Sequence, residues 1–140
     1  MSKQEPKPFI SVLIAALNEE EAIANVIKSV PKDLADEIVV VDNGSKDRTA
    51  EIAKAAGARV VREPVAGYGR AFRTGLRSIS PKCEIIVFLD GDGSDCPEMM
   101  DRLVTPIIKG NSDFVVGSRT RGNRETGSMI FHQVVAGYMT

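Results

Sequence analysis

Continuous apolar runs that end in acidic residues constrain the fold of this chain more than any other feature. Residues 9–16 form one such run, residues 37–41 lead directly into Asp42, and residues 85–89 lead into Asp90. Strands that are apolar throughout are typical of parallel sheets, because helices cover both faces of such sheets. The runs therefore predict buried parallel strands with acids close to their carboxyl ends.

Helical patterns alternate with these runs. Apolar residues recur at helical spacing from Ala22 to Val30 and again from Met99 to Ile108. Alternating strands and helices predict an α/β sheet with mainly parallel strands and right-handed crossovers. We predict one such domain over residues 9–140, after a flexible N-terminus over residues 1–8. The predicted strands are residues 9–16, 37–41, 58–61, 85–89 and 114–116.

Polar side chains at the predicted helix starts suggest how the helices are capped. Asn18 is a candidate N-cap for the first helix, with Glu21 three residues later as its reciprocal partner. Ser45 or Asp47 is the candidate cap of the second helix.

The last third of the chain carries two prolines that bear on its helices. Pro97 is suited to a first helical turn, whereas Pro106 predicts a kink or an early end. Asp95 is expected to be a helix-start acid that interacts with the helix dipole. Residues 127–140 have an apolar, helix-like pattern with no cap or polar tail. We therefore expect a fold that is incomplete at its C-terminal end.

Composition excludes several classes of protein. The 140 residues suffice for one domain, and a net charge of −1 gives no case for nucleic acid as a partner. No apolar stretch approaches the roughly 18 residues that span a bilayer. We predict that the two cysteines, Cys83 and Cys96, are reduced thiols in a cytoplasmic protein.

Three aspartates follow the run at residues 85–89, with glycines between them. Asp90 and Asp92 flank Gly91 closely enough to repel each other unless a positive charge lies beside them. A hard divalent cation with oxygen ligands would supply that charge and would bridge to a diphosphate. The alternative is that both are solvated acids in a turn.

Several acids are predicted to share one edge of the sheet. Ligands of open α/β sheets bind beyond the carboxyl ends of the strands, where strand order reverses. Glu19, Asp42 and Asp90 all follow predicted strands. Asp42 could accept hydrogen bonds from a nucleobase, or it could be an Asx-turn acid that only shapes its loop. The dinucleotide and Walker A glycine patterns are absent, so a nucleotide would be bound by another scheme.

Basic residues near glycines are weaker candidates. Residues 67–70, Gly-Tyr-Gly-Arg, could present backbone N–H groups and an arginine to phosphate, or form a plain solvated loop. Arg119, Arg121 and Arg124 could clamp phosphate, although a solvated basic loop fits Arg121 and Arg124 nearly as well. His132, the single histidine, is a weak candidate for the acceptor side.

Four motifs in this order resemble the family 2 glycosyltransferases of the GT-A fold. They are AALNEE at residues 15–20, VVVDNGSKDRT at 39–49, DGDGS at 90–94 and GSR at 117–119. The match covers nearly all of the chain from Ile10 onward. Within the family, the chain is similar to the dolichyl- and polyprenyl-phosphate sugar transferases. The resemblance implies a Rossmann-like nucleotide-diphospho-sugar transferase sheet, of which this chain is the nucleotide-sugar-binding part.

The resemblance also implies a reaction: a sugar passes from UDP or GDP to an acceptor with inversion, assisted by Mn²⁺ or Mg²⁺. Ser94 falls where some relatives have a third metal ligand, and Asn43 replaces a common second aspartate. The implied metal ligands are Asp90 and Asp92, and the implied nucleotide-binding residues are Leu17, Glu19, Asp42, Asn43, Gly69, Asp90, Gly91 and Arg119.

The expected acceptor is a polyprenyl or dolichyl phosphate, which is ionised near neutral pH and needs no protein base. An alcohol acceptor would need an acidic base, which in the family lies beyond Thr140, so the catalytic residue is unassigned. A lipid acceptor would place the protein peripherally on the inner face of the membrane, and self-association through an apolar edge is possible. The alternatives are a nucleotide-sugar-binding module without transfer activity and a nucleotidyltransferase.

Overall fold

The computed structural model describes residues 6–117 and the strand at residues 135–138. Helices alternate with the first five strands, as the apolar runs predict. A short 3₁₀ turn, Pro97–Met99, precedes the fourth α-helix. The strands are β1 (Ile10–Ala16), β2 (Glu37–Asp42), β3 (Arg59–Arg62), β4 (Ile85–Asp90), β5 (Phe114–Val116) and β6 (Val135–Tyr138). The α-helices are α1 (Ile23–Ser29), α2 (Thr49–Ala55), α3 (Tyr68–Ser78) and α4 (Asp101–Ile108).

The described strands form one sheet in the order β3-β2-β1-β4-β6-β5. β1 pairs in parallel with both β2 and β4, so strand order reverses between β1 and β4. Ala16 lies opposite Asp42, and Ala15 lies opposite Asp90. This register brings the carboxyl ends of the three central strands to one edge of the sheet. The predicted α/β sheet with mainly parallel strands is confirmed.

Helices cover both faces of the sheet, which explains the unbroken apolar runs. On one face, alternate residues of β1 such as Val12 and Ile14 pack with residues of α1, α2 and α4. On the other face, Leu13 packs with α3. α3 lies very close to the sheet at Gly75, where an added Cβ would be 2.3 Å from Leu13 Cδ1. None of the helices within the described residues is long and apolar enough to cross a bilayer.

Two sequence expectations about the C-terminal part differ from the structure. Residues 135–138, which have a helix-like pattern, form β6, a strand antiparallel to both β4 and β5. Val-Ala-Gly-Tyr is too short a segment for periodicity to distinguish a strand from a helix. α4 continues through Pro106 and ends at Ile108, so the proline precedes the end of the helix by two residues.

Candidate functional site

A cavity of about 270 Å³ lies at the switch point of the sheet, beyond the carboxyl ends of β1 and β4. This is where ligands bind in open α/β sheets. β1 and the residue after it supply one wall, the end of β4 supplies another, and the start of α3 closes a third side. The residues that line it are Ala15, Ala16, Leu17, Glu19, Asn43, Gly67, Tyr68, Ala71, Asp90, Gly91 and Asp92.

Hydrogen bonds between the β1–α1 and β2–α2 loops hold Glu19 at the pocket. The Asn18 N–H donates to Ser45 Oγ over 2.9 Å, and the Lys46 N–H donates to Asn18 Oδ1 over 2.8 Å. The Glu19 N–H donates to Thr49 Oγ1 over 2.8 Å. The two loops are therefore connected residue by residue, which fixes the backbone that carries the Glu19 carboxylate.

The predicted capping box at Asn18 and Glu21 is wrong. α1 begins at Ile23, and its N-cap position, Ala22, offers no side-chain hydrogen bond. Asn18 has a positive φ of 52°, a conformation that asparagine tolerates better than most residues, and its amide oxygen binds the other loop. A bond across 28 residues therefore replaces the local cap.

Asp42 and Asp47 shape the β2–α2 loop. Asp42 is buried and its Oδ1 accepts the N–H of Ser45, three residues on, over 2.9 Å, so its side chain shapes the loop as the simpler alternative holds. Asp47 accepts the Thr49 N–H over 3.0 Å and also the Thr49 hydroxyl, so Asp47 rather than Ser45 binds the start of α2. Hydrogen bonding lowers the pKa of Asp47, first of all the bond from the Thr49 hydroxyl.

Asn43, the residue after Asp42, lines the pocket and holds the loop between β3 and α3. Its Nδ2 donates to Glu63 O over 3.0 Å and to Val65 O over 2.9 Å, and its Oδ1 accepts the Gly67 N–H over 3.0 Å. An aspartate could not donate to the two carbonyls. The departure from the family pattern at Asn43 therefore has a structural explanation within this chain.

Tyr68 joins the start of α3 to the end of β4. Its hydroxyl donates to Asp90 Oδ1 over 2.5 Å. Its ring meets Phe72 edge to face at 4.6 Å, and Phe72 meets Phe88 of β4 in the same way at 5.1 Å. Burial, followed by the hydrogen bond to Asp90, raises the pKa of Tyr68, so the phenol keeps its proton and remains a donor.

The DGDGS segment after β4 is held by its own acids. Asp95 Oδ2 accepts the Asp90 N–H over 2.9 Å, and Asp92 Oδ1 accepts both the N–H and the hydroxyl of Ser94, over 2.9 and 2.6 Å. The expectation that Asp95 is a helix-start acid is wrong, since Glu98 occupies the first turn of the 3₁₀ segment. Ser94, which falls where some relatives have a third metal ligand, donates its hydroxyl to Asp92.

The pocket is strongly acidic. Burial, then the nearby charges of Asp92, Asp47 and Asp90, raises the pKa of Glu19. Within the described part of the chain, no lysine or arginine lines the wall. The described part of the wall therefore presents mainly negative charge to a ligand.

This donor set fits a divalent cation that shares its coordination with a phosphorylated ligand. Mg²⁺ is typically held by one or two carboxylates together with substrate phosphates and water, rather than by a cage of protein ligands. Asp90 and Asp92 at the pocket provide that number. Among the described residues there is no group of three or more histidines, cysteines, aspartates or glutamates that could hold a metal ion.

Most of the predicted binding residues therefore meet in one cavity, but not all of them do. Gly69 lies in the first turn of α3, next to the pocket residue Tyr68, and Asp42 lies behind Asn43; neither lines the wall. Arg119, Arg121, Arg124 and His132 fall outside the described residues, and Arg70 lies in α3 without lining the pocket. The predicted residues that line the pocket are Leu17, Glu19, Asn43, Asp90, Gly91 and Asp92.

Sequence reasoning did not single out the side chain of Tyr68. The available signal was its place between Gly67 and Gly69 in the segment that follows a predicted strand. Sequence reasoning considered only the backbone N–H groups of this segment. It did not consider the Tyr68 hydroxyl, because its partner, Asp90, is 22 residues away.

Comparison with known proteins gives a consistent result. A family model described as "Glycosyl transferase family 2" matches residues 11–138. An uncharacterized protein of Methanocaldococcus jannaschii is 37% identical over 125 residues, covering 88% of this chain and 51% of the relative. The UDP-N-acetylglucosamine–dolichyl-phosphate N-acetylglucosaminyltransferase of Methanococcus voltae is 31% identical, covering 86% of this chain and 56% of the relative.

Solved structures of glucosyl-3-phosphoglycerate synthase from Mycobacterium tuberculosis are also similar. One is 39% identical with a TM-score of 0.64, covering 74% of this chain and 41% of that chain. Another, in complex with Mn²⁺, UDP and glucosyl-3-phosphoglycerate, is 36% identical with a TM-score of 0.62, covering 71% and 39% of the two chains. The present chain spans about half the length of the two curated relatives.

Proposed function

Since the chain belongs to the family 2 glycosyltransferases, we propose that it binds a UDP-sugar through a divalent cation and donates the sugar to a phosphate-bearing acceptor. The observation that carries this proposal is the meeting of Glu19, Asn43, Asp90 and Asp92 around one cavity at the switch point of the sheet. The choice of uridine is supported by two relatives, one named for a UDP-sugar and one crystallised with UDP.

In this proposal Asp90 and Asp92 hold Mn²⁺ or Mg²⁺, which when bound neutralises charge on the diphosphate leaving group. Gly91 lets the backbone between them lie close to β1, since an added Cβ would be 3.0 Å from Ala16 Cβ. Glu19 and Asn43 lie on the nucleoside side of the pocket, and Asp42 supports them through the β2–α2 loop. Gly69 and Arg119 stay predicted phosphate contacts.

The acceptor is proposed to carry a phosphate. One relative is named for a dolichyl-phosphate acceptor, and a similar structure was solved with phosphoglyceric acid. A phosphate oxygen that is already ionised can attack the sugar without a protein base. Of the two we propose the lipid phosphate, with transfer by inversion, and expect the protein to act at the cytoplasmic membrane surface.

The alternative is a nucleotide-sugar-binding module without transfer activity. The family match favours transfer over the nucleotidyltransferase reading.

Calorimetry and a transfer assay test the proposal together. We expect UDP to bind tightly with Mn²⁺ and to lose most of its affinity when a chelator is added. UDP-sugar incubated with a short polyprenyl phosphate or with phosphoglycerate should release UDP, and NMR of the product gives its anomeric configuration. Metal-dependent binding without UDP release would support the binding module. UDP binding that is indifferent to chelator would contradict the metal site.

A further inference from the structure

Residues 63–68, which connect β3 to the first residue of α3, are fastened at both ends to the edge of the sheet, and we call this segment the strap. At β2, the Asn43 side chain makes three hydrogen bonds to its backbone, at Glu63, Val65 and Gly67. At β4, the Tyr68 hydroxyl donates to Asp90. Because β1 lies between β2 and β4, the strap crosses the end of β1, where the pocket lies.

The hydroxyl of Tyr68 explains a tyrosine at this position better than the burial of its ring does. The residue is 55% exposed, so burial of the ring gives little reason for a tyrosine at this position. The edge-to-face contact with Phe72 steers the ring toward β4, where the hydroxyl meets one oxygen of Asp90.

Asp90 is consequently held from two directions. Asp95 accepts its backbone N–H, and Tyr68 donates to its side chain. A carboxylate has about four lone-pair sites on its two oxygens, so one carboxylate can accept the Tyr68 hydroxyl and also bind a cation. A residue that orients a metal-binding side chain in this way typically changes metal affinity about tenfold to a hundredfold when it is mutated.

We propose that Tyr68 is a positioning residue for the cation: its hydroxyl, by donating to Asp90 Oδ1, holds the Asp90 carboxylate in the orientation in which it would bind the metal. This inference rests on the proposed function, since it assumes that Asp90 and Asp92 hold a cation. The strap, through Asn43, holds Tyr68 in place.

The test compares Tyr68→Phe with the parent chain and with Ser78→Ala. Tyr68→Phe removes the hydroxyl and keeps the ring against Phe72. Ser78→Ala is a matched control, because it removes another hydroxyl of α3, one that donates to Thr74 O at the far end of the helix. Mn²⁺ affinity in the presence of UDP is measured by calorimetry, and the unfolding midpoint of each variant is measured by circular dichroism.

We expect Tyr68→Phe to weaken Mn²⁺ binding about tenfold or more, with the unfolding midpoint retained and Ser78→Ala unchanged. A Tyr68→Phe variant that binds Mn²⁺ as well as the parent does would overturn the inference and leave the proposed function intact. An equal loss in Ser78→Ala would also overturn it. A parent chain that binds no Mn²⁺ would overturn the proposed function and the inference together.

A second measurement does not depend on the folding of Tyr68→Phe. The chain has two tyrosines and no tryptophan, so Tyr138→Phe leaves Tyr68 as its only strong near-ultraviolet chromophore. In that background, titration with Mg²⁺ and UDP should shift the phenol absorption in step with calorimetric binding, beyond the change of UDP alone. A phenol spectrum that stays constant while the cation binds would overturn the inference.

Discussion

The two ends of the sheet use the same kind of side chain for opposite purposes. At the amino end, Glu37 accepts the Ser11 hydroxyl over 2.6 Å and the Ser80 N–H over 2.7 Å, and it pairs with Arg59 at 3.2 Å. At the carboxyl end, Glu19, Asp90 and Asp92 line a cavity whose described wall has no lysine or arginine.

The difference lies in how charge is balanced. Carboxylates at the amino end are neutralised by groups of the chain itself and connect β1, β2 and β3. The carboxylates at the carboxyl end are oriented by hydrogen bonds, and no lysine or arginine among the described residues lines their cavity. In the part of the chain that the structure describes, an acid at the amino end thus pairs with a cation of the chain, whereas the acids at the carboxyl end gather at a pocket.

The largest expected effect is at the carboxyl end. Asp92→Ala should weaken Mn²⁺-dependent UDP binding by roughly a hundredfold or more, because a metal site is worth several kcal/mol and one of its two carboxylates is lost. The unfolding midpoint should stay the same. Calorimetry and thermal unfolding measure both, with Asp101→Ala on α4 as an acid-removal control. A much lower unfolding midpoint for Asp92→Ala would contradict the idea that acids at the carboxyl end bind a ligand and do not stabilise the fold.

The reverse pattern is expected at the amino end. Glu37→Ala should lower the free energy of unfolding by about 1.5–3 kcal/mol, because the Ser80 N–H and the Ser11 hydroxyl lose a charged acceptor. UDP affinity of the folded fraction should not change. Urea unfolding gives the stability, and Glu37→Gln, which keeps an acceptor oxygen, should recover part of it. A loss of UDP affinity in the folded protein would break the comparison.

One acid at each end, Asp36 and Glu19, should change the free energy of unfolding with pH, and the two changes should have opposite signs. Each change should be less than about 1 kcal/mol, because both side chains are partly exposed. Burial would raise the pKa of Asp36, but bonds from the Ile10 N–H and Lys7 lower it below 3.8, so its stabilisation holds above pH 3.8 and is lost as pH falls through the folded pKa. Burial and neighbouring acids raise the pKa of Glu19 above 4.5, so its contribution holds below pH 4.5 and is lost as pH rises through the folded pKa.

The free energy of unfolding, measured at a series of pH values from acidic to neutral with chelator present, gives the sign of each contribution. Asp36→Asn should lose stability near neutral pH and match the parent in strong acid. Glu19→Gln should gain stability near neutral pH, and that gain should shrink as pH falls toward 4.5. The same sign for both variants would contradict the comparison.

The smallest effect concerns the two cysteines, which are both free thiols. Cys83 precedes β4 and is half-buried, and burial raises its pKa above the usual 9.0. Cys96 follows β4 and is exposed. Cys96 should therefore react first with a thiol reagent at mildly alkaline pH. Mass spectrometry of peptides at early times measures the two rates, and faster labelling of Cys83 would contradict the burial difference.

Local sequence patterns predicted most of the strands and helices, whereas contacts between distant residues determined where α1 begins and that residues 135–138 form a strand. β2 and β4 begin at the predicted residues and end one residue later, because buried parallel strands are continuous apolar runs. The start of α1 was placed too early, because Asn18 binds Lys46 in another loop. β6 escaped prediction because its partners are β4 and β5 rather than its chain neighbours.

The same distinction applies to the site. Acids after apolar runs correctly indicated a shared edge, since register aligns the carboxyl ends of β1, β2 and β4. The bond from Tyr68 to Asp90 and the three bonds of Asn43 to the strap depend on how α3 is placed, which no local spacing encodes. Asp95 was misread for a related reason: its partner is the Asp90 backbone, which lies before it in the chain.

The place of β6 in the sheet has a consequence for the order of assembly during synthesis. β5 joins the described sheet only through β6, and β6 pairs with β4 from residues 135–138. That side of the sheet must wait for pairing between residues far apart in the chain, which is slow relative to local pairing. The described residues that line the pocket all lie between Ala15 and Asp92. This part of the pocket can therefore form on the ribosome before β5 has a partner, and the chain that emerges later is added to a pocket wall already in place.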